Sequence, residues 1–325
     1  MKRAFFIIPV LCLLLPVTMA FAGGSRDQTA DKTGEMASKP KIAVSILPHA
    51  YFVRRIGGDR ISTLVLVGPG QDPHSYEPRP RQMEELSSAK AWLLSGTDFE
   101  LRFRPKIASL FPILTIVDGT EGVTFRSMAT HGHGEADHTD AGQATPEQTE
   151  AESGVGDVQG MEIDRHTWLG RQPAKIFADH VLKTLSATDP DNAAFFETNH
   201  HGLIAEIDRE FDALIPILSP LKGKSIFVFH PAFGYFLDEF GIVQEAVETG
   251  GKEPTARALT ELIAAAKADG AKVIFVQAQF PVNAARTVAD AVGATVAPLD
   301  PLAEDWLANI NIMGEALKKA SLSLP

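Results

Sequence analysis

The chain has 325 residues, 45% of them apolar and 22% charged. That is the balance of a globular protein with a full-sized core, not of a disordered, collagenous or disulfide-stapled chain. Its 30 basic and 41 acidic residues give a formal charge of −11, which argues against nucleic acid, whose readers carry a basic face.

Residues 1–22 read as an export signal. Lys2 and Arg3 form a basic start, an apolar run follows from Ala4 to Val17, and Ala20 and Ala22 precede Gly23 in an A-x-A pattern. An uncleaved membrane anchor is the competing reading, and Pro9, Pro16 and the small-residue pattern favour cleavage near Ala22. The expected location is the periplasm. Loss of Lys2 and Arg3 leaves 28 basic against 41 acidic residues, a charge of −13. Cys12, the sole cysteine, leaves with the leader. Any metal site in the mature chain must therefore come from His, Asp and Glu, which excludes thiolate zinc sites.

Residues 23–40, rich in Gly, Ser, Thr, Lys and Asp, read as a flexible tether. From Lys41 apolar strands alternate with helices. Strands are expected at 42–47, 62–67, 92–94 and 113–117, with helices near 51–56, 80–90 and 100–110. Such alternation implies a parallel sheet covered by helices. Residues 126–162 have almost no large apolar side chains and read as a disordered loop within a first lobe of residues 41–188. A helix over 173–185 follows. A long one over 189–215 starts with Asp189 as N-cap and Pro190 at its first position. This linking helix leads to a second lobe of residues 216–325. There strands are expected at 225–229, 272–276 and 294–297, and helices at 255–269, 282–292 and 303–320. The expected fold is thus α/β, with two lobes, each a parallel sheet flanked by helices, joined by one long helix.

His74, His230 and Asp300 each lie just beyond the carboxyl end of an expected strand, where open α/β sheets bind their ligands. His166 stands where the chain leaves the polar loop. A single His at a strand end is usually structural, and an Asp-Pro such as Asp300-Pro301 usually makes a turn. The coincidence of four changes that balance, because three imidazoles and one carboxylate supply a tetrahedral shell for Zn²⁺. Imidazole suits zinc, whereas manganese sites lean on carboxylate oxygen. His131, His133 and His138, within the polar loop, form a weaker secondary metal candidate, as short His-rich tracts commonly do. His49, His180, His200 and His201 read as surface or packing residues.

The segments Gly68-Pro69-Gly70, Asp72-Pro73-His74-Ser75-Tyr76-Glu77-Pro78, His166-Thr167-Trp168-Leu169, His230-Pro231-Ala232-Phe233-Gly234-Tyr235-Phe236, Glu253-Pro254-Thr255, Gln277-Ala278-Gln279-Phe280 and Leu299-Asp300-Pro301-Leu302 occur in this order. With them the chain from Lys41 resembles the periplasmic solute-binding proteins that serve zinc and manganese ABC importers, in particular the zinc receptors. The resemblance implies a metal held between two lobes, by His74 and His166 from the first and His230 and Asp300 from the second. Manganese receptors typically carry Glu where this chain has His230, so the third His favours zinc. Arg165 replaces the usual Pro before His166, and Gly170-Arg171 replaces the usual Asp-Pro after Leu169. The fourth ligand stays open between Asp300, Asp72 and water.

The expected function is an extracytoplasmic, high-affinity zinc receptor that delivers Zn²⁺ to the membrane subunit of a zinc ABC permease. The expected protein is a monomer that binds neither nucleic acid nor nucleotide and is not an enzyme. A manganese receptor is the alternative within the family. A secreted zinc hydrolase is the alternative outside it, since three His and an exchangeable water describe many catalytic sites. The chain has no HExxH and no GxxxxGK loop.

Overall fold

In the computed structural model, residues 39–128, 163–246, 256–277, 279 and 282–321 are described. The expected leader, most of the expected tether and the His-rich segment with His131, His133 and His138 lie outside the described residues.

Strands β1 (Lys41–Val44), β2 (Ser62–Val65), β3 (Ala91–Leu94) and β4 (Thr115–Asp118) form a four-stranded sheet in the order β2-β1-β3-β4. All neighbours are parallel. β3 is buried at all four positions, and β1 at Ile42, Ala43 and Val44. The edge strands are half-buried at most positions, as expected of a parallel sheet with helices on its faces. Helices α1 (Leu47–Gly57), α2 (Pro80–Ser87) and α3 (Asp98–Leu110) make the crossovers. α3 is started by Glu100. Its carboxylate, 1% exposed, accepts from the backbone N–H of Ser95, Gly96 and Thr97 at 2.6–3.0 Å, so three donors of the turn find one acceptor.

The second half repeats the plan. β5 (Ser225–Val228), β6 (Val243–Ala246), β7 (Val273–Val276) and β8 (Thr295–Pro298) form a parallel sheet in the order β6-β5-β7-β8. Both sheets therefore place their second strand outside their first, and each has its switch point between its first and third strands. The sequence reading missed β6 and the short helix α6 (Gly234–Glu239) before it. β6 reads Val-Gln-Glu-Ala, half-buried throughout, and an edge strand of that composition has no apolar run to detect. α7 (Ala256–Ala268), α8 (Val282–Val292) and α9 (Trp306–Ser321) complete this half.

Between the halves run α4 (Arg171–Thr188) and α5 (Ala193–Leu218), 26 residues long. The expected start at Pro190 is corrected. Pro190–Asn192 forms a 3₁₀ turn, and Asp189 accepts a 2.7 Å bond from the Asn192 side chain instead of capping the α-helix. The residue before Pro is pushed out of the α region, and Asp189 sits at φ −140°, ψ 78°. α5 also runs past the expected end at residue 215. Pro216 is exposed, while Leu214 and Leu218 continue the buried stripe. That stripe (Phe196, Leu203, Ile207, Phe211, Leu214, Leu218) packs α5 against α1, α4 and α9. One continuous core consequently extends from Ile42 and Trp92 through Phe211 to Phe236 and Trp306. A smaller cluster about Phe227, Ile274 and Val288 lies beside α7 and α8. Among the described residues no helix is long and apolar enough to cross a membrane.

Candidate metal centre

His230 lies two residues past the end of β5, at the switch point of the second sheet. Gln277, at the end of neighbouring β7, accepts from the His230 N–H at 3.3 Å and donates to the His230 carbonyl at 2.7 Å. This two-way bond across adjacent strand ends fixes the His230 backbone. His74 lies in the turn after β2, where Asp72 Oδ1 accepts its backbone N–H at 2.9 Å and Asp72 Oδ2 accepts from Ser75 Oγ at 2.9 Å. Asp72 lines the same cavity as His74, His166 and His230, with both its oxygens engaged in the turn. His166 stands before the 3₁₀ turn Thr167–Leu169, with Trp168 edge-on to its ring at 5.3 Å.

The three imidazoles converge. Their ligand nitrogens all lie within 4.8 Å of one another, the one such group of three among the described residues. His230 Nε2 stands 3.2 Å from His74 Nε2 and 3.1 Å from His166 Nε2. Their Nδ1 partners decide what these contacts mean. His74 Nδ1 donates to Asp98 Oδ2 at 2.8 Å, and His166 Nδ1 donates to Asp164 Oδ1 at 2.9 Å. Each carboxylate fixes the tautomer, leaving Nε2 as an unprotonated lone pair aimed at the centre. One proton on His230 Nε2 could serve only one of its two neighbours. A cation serves all three, and tetrahedral bonds of ~2.0–2.1 Å set ligand atoms roughly 3.3–3.4 Å apart, close to the two spacings from His230.

The His74 hydrogen bond outweighs burial and, with Arg165 nearby, holds the Asp98 carboxyl below the usual carboxylate range. Burial pushes Asp164 up, but the bonds from His166 and Arg126 outweigh it and its pKa also ends below the ordinary value. Both stay ionised acceptors at neutral pH. His166 and His230 are buried, and His74 is half-buried at the mouth.

Asp300 stands apart from this cluster. Its Oδ1 accepts from Leu302 N–H at 2.9 Å and from Gln279 Nε2 at 3.3 Å. It lines the adjoining cavity with Glu304 and Leu302, and Gln279 lines both cavities. Gln279 Oε1 is buried with no hydrogen-bond partner among the described residues. The sequence reading did not single out Asp98 or Arg126. Asp164 was detectable in retrospect, because Asp two residues before a His is turn spacing. Asp98, 24 residues from His74, left no such signal.

Residues 42–320 match the family ZnuA, the zinc-uptake complex component A, periplasmic. The chain belongs to this family. Zinc-binding lipoprotein AdcA of Streptococcus pneumoniae serotype 4 is 24% identical over 306 residues, 93% of this chain and 56% of its own length. Zinc-binding protein AdcA of Streptococcus pyogenes serotype M3 is 26% identical over 270 residues, 81% of this chain and 50% of its own. The chain thus spans about half the length of these curated relatives. A crystal structure of ZnuA superposes with a TM-score of 0.75 at 33% identity, covering 87% of this chain and 99% of that one. A ZnuA deletion mutant with zinc bound gives 0.74, also at 33% identity, covering 87% and 98%. The periplasmic zinc-binding protein TroA of Treponema pallidum, at 18% identity and a TM-score of 0.72 over 87% of this chain and 99% of its own, shares the fold.

Proposed function

We propose that the protein is an exported zinc receptor that takes up Zn²⁺ on His74, His166 and His230 and hands it to the membrane subunit of an ABC permease. The observation that carries this reading is the meeting of three imidazoles, two of which are held at their opposite nitrogens by Asp98 and Asp164. Family membership supports the assignment to zinc uptake and the permease as partner. The protein binds and releases its ion without a chemical step, so it is not an enzyme. It acts as a monomer in the periplasm, after removal of residues 1–22, and needs neither nucleic acid nor nucleotide. Zinc is preferred over manganese because all three convergent ligands are imidazoles.

The fourth position belongs to Asp300, which joins the shell by giving up Gln279 and Leu302, with water in its place when it does not. Asp72 is less suited, since releasing it would dissolve the turn that carries His74. His131, His133 and His138 act as a separate, weaker zinc store. The test is a competition titration of metal-free protein with a zinc chelator of known affinity, beside elemental analysis of protein taken from its native export compartment. One tightly held zinc per chain is the expected result. Tight binding of manganese but not zinc would overturn the reading.

A further inference from the structure

We propose that Arg126 is a positioning residue for His166, acting by tying the Asp164 carboxylate to the helix that follows His230. The proposal rests on the zinc-receptor reading above. Asp164 divides its two oxygens. Oδ1 accepts both the backbone N–H and the Nδ1–H of His166, each at 2.9 Å. Oδ2 accepts from Arg126 Nη1 at 2.7 Å. The Asp164 side chain is fully buried, and a buried carboxylate needs a charged partner as well as hydrogen bonds to stay ionised and oriented.

Arg126 reaches across the molecule with its other edge. Its Nε donates to Asp238 Oδ2 at 2.8 Å and its Nη2 to Asp238 Oδ1 at 3.4 Å, a fork onto α6. The Tyr235 hydroxyl closes the arrangement. It accepts from the Arg126 backbone N–H at 3.1 Å and donates to the Asp164 carbonyl at 3.0 Å. α6 begins at Gly234, four positions after His230. The guanidinium therefore couples the carboxylate that orients His166 to the segment that carries His230, the two ligands whose Nε2 atoms stand 3.1 Å apart.

Gly234 makes room for it. A Cβ there would fall 1.5 Å from Arg126 Nη1 and 2.3 Å from its Cζ. No left-handed φ requires this glycine; the close approach of the guanidinium does. The same Cβ would lie 2.8 Å from Asp164 Oδ2, so Gly234→Ala would disturb the Arg126–Asp164 contact from outside, without altering either residue.

The experiment uses the full chain and zinc as the probe, with affinity read by chelator competition. Site geometry is read from the visible d–d spectrum of the Co²⁺-loaded protein, and folding from urea unfolding of the metal-free form. Arg126→Ala is expected to weaken zinc by about 5–10-fold, less than the 10–100-fold that follows loss of a ligand's own hydrogen-bond partner, and to alter the cobalt spectrum. Gly234→Ala should reproduce both effects, since its Cβ would press on both Arg126 and Asp164. Asp238→Asn, which touches no ligand, should weaken zinc in the same direction by a smaller factor. If Arg126→Ala lowers the unfolding midpoint while zinc affinity and cobalt spectrum stay at wild-type values, the residue is merely structural and the proposal is overturned. A wild-type protein that fails to hold zinc overturns the receptor reading, and this proposal with it; wild-type binding with unaffected variants overturns this proposal alone.

Discussion

The indole of Trp306 donates to the carbonyl oxygen of Trp168 at 2.7 Å, and the Trp168 indole donates onward to the carbonyl of Pro301 at 2.7 Å. Both indoles are buried. Two hydrogen bonds thus link the turn behind His166 to α9 and to the loop that carries Asp300. Trp306→Phe keeps most of the ring and leaves the Trp168 carbonyl short of a buried partner. The expected loss is about 1–3 kcal/mol in urea unfolding, with zinc affinity reduced less than tenfold. Unfolding curves that superpose on wild type would refute the link.

His74→Ala, His166→Ala and His230→Ala should each weaken zinc by at least tenfold, about 1.4 kcal/mol, because each removes one of three convergent nitrogens. Asp300→Ala should cost less, since the Asp300 carboxylate is engaged with Leu302 and Gln279 outside the cluster. Competition titrations of the four variants rank them. An Asp300 variant weaker than all three His variants would reverse the assignment of the principal ligands.

Deletion of residues 131–138 should leave one tight zinc site and remove only weaker equivalents, because the three described imidazoles meet without that segment. Calorimetry on the deleted protein checks this. Disappearance of the tight site would show that the segment supplies a principal ligand.

Because each imidazole must give up its proton to hold a metal, zinc affinity should be nearly flat above about pH 7.5 and fall steeply below about pH 6. Asp98 and Asp164 do not soften this fall. Their carboxyls are held below the usual range, so they stay ionised while the imidazoles protonate. Manganese should bind far more weakly throughout, being at the weak end of the divalent series. Paired zinc and manganese titrations from pH 5 to 8 test both points. Equal affinities at neutral pH, or zinc affinity unchanged at pH 5, would contradict a three-imidazole site.

His49 supplies an independent pH effect on folding. Stacked on Phe177 at 3.7 Å and 1% exposed, with Nδ1 unpartnered, it is driven by burial from 6.5 down to about 3. Its unfolded form takes up a proton below about pH 6.5 and its folded form does so only near pH 3, so the unfolded state binds more protons between them. Stability is therefore full above pH 6.5 and declines as pH falls, by roughly 1.4 kcal/mol per unit. His49→Phe removes this slope. Relative to wild type, the variant should gain about 2 kcal/mol between pH 7 and pH 5 in urea unfolding of metal-free protein. Parallel pH profiles for the two proteins would rule the effect out.

The α/β alternation was readable from Lys41 onward, because buried parallel strands such as Ala91–Leu94 are short apolar runs and helices such as Ala256–Ala268 space their apolar residues at three and four. The three His were readable as strand-end residues and through the motifs around them, and the absence of cysteine beyond Cys12 confines metal chemistry from Lys41 onward to His, Asp and Glu. Tertiary structure alone decided the rest. β6 was hidden because an edge strand half-buried on both faces has no apolar signature. The distances among His74, His166 and His230 depend on three segments separated by more than 60 residues each, and no local pattern encodes them. The same holds for Asp98 behind His74, for the seat of Arg126 against Gly234, and for the separation of Asp300 from the imidazoles. A side chain's type and local spacing declare which bond it can make. Which partner it makes that bond with depends on how distant segments pack, and that is a property of the folded core.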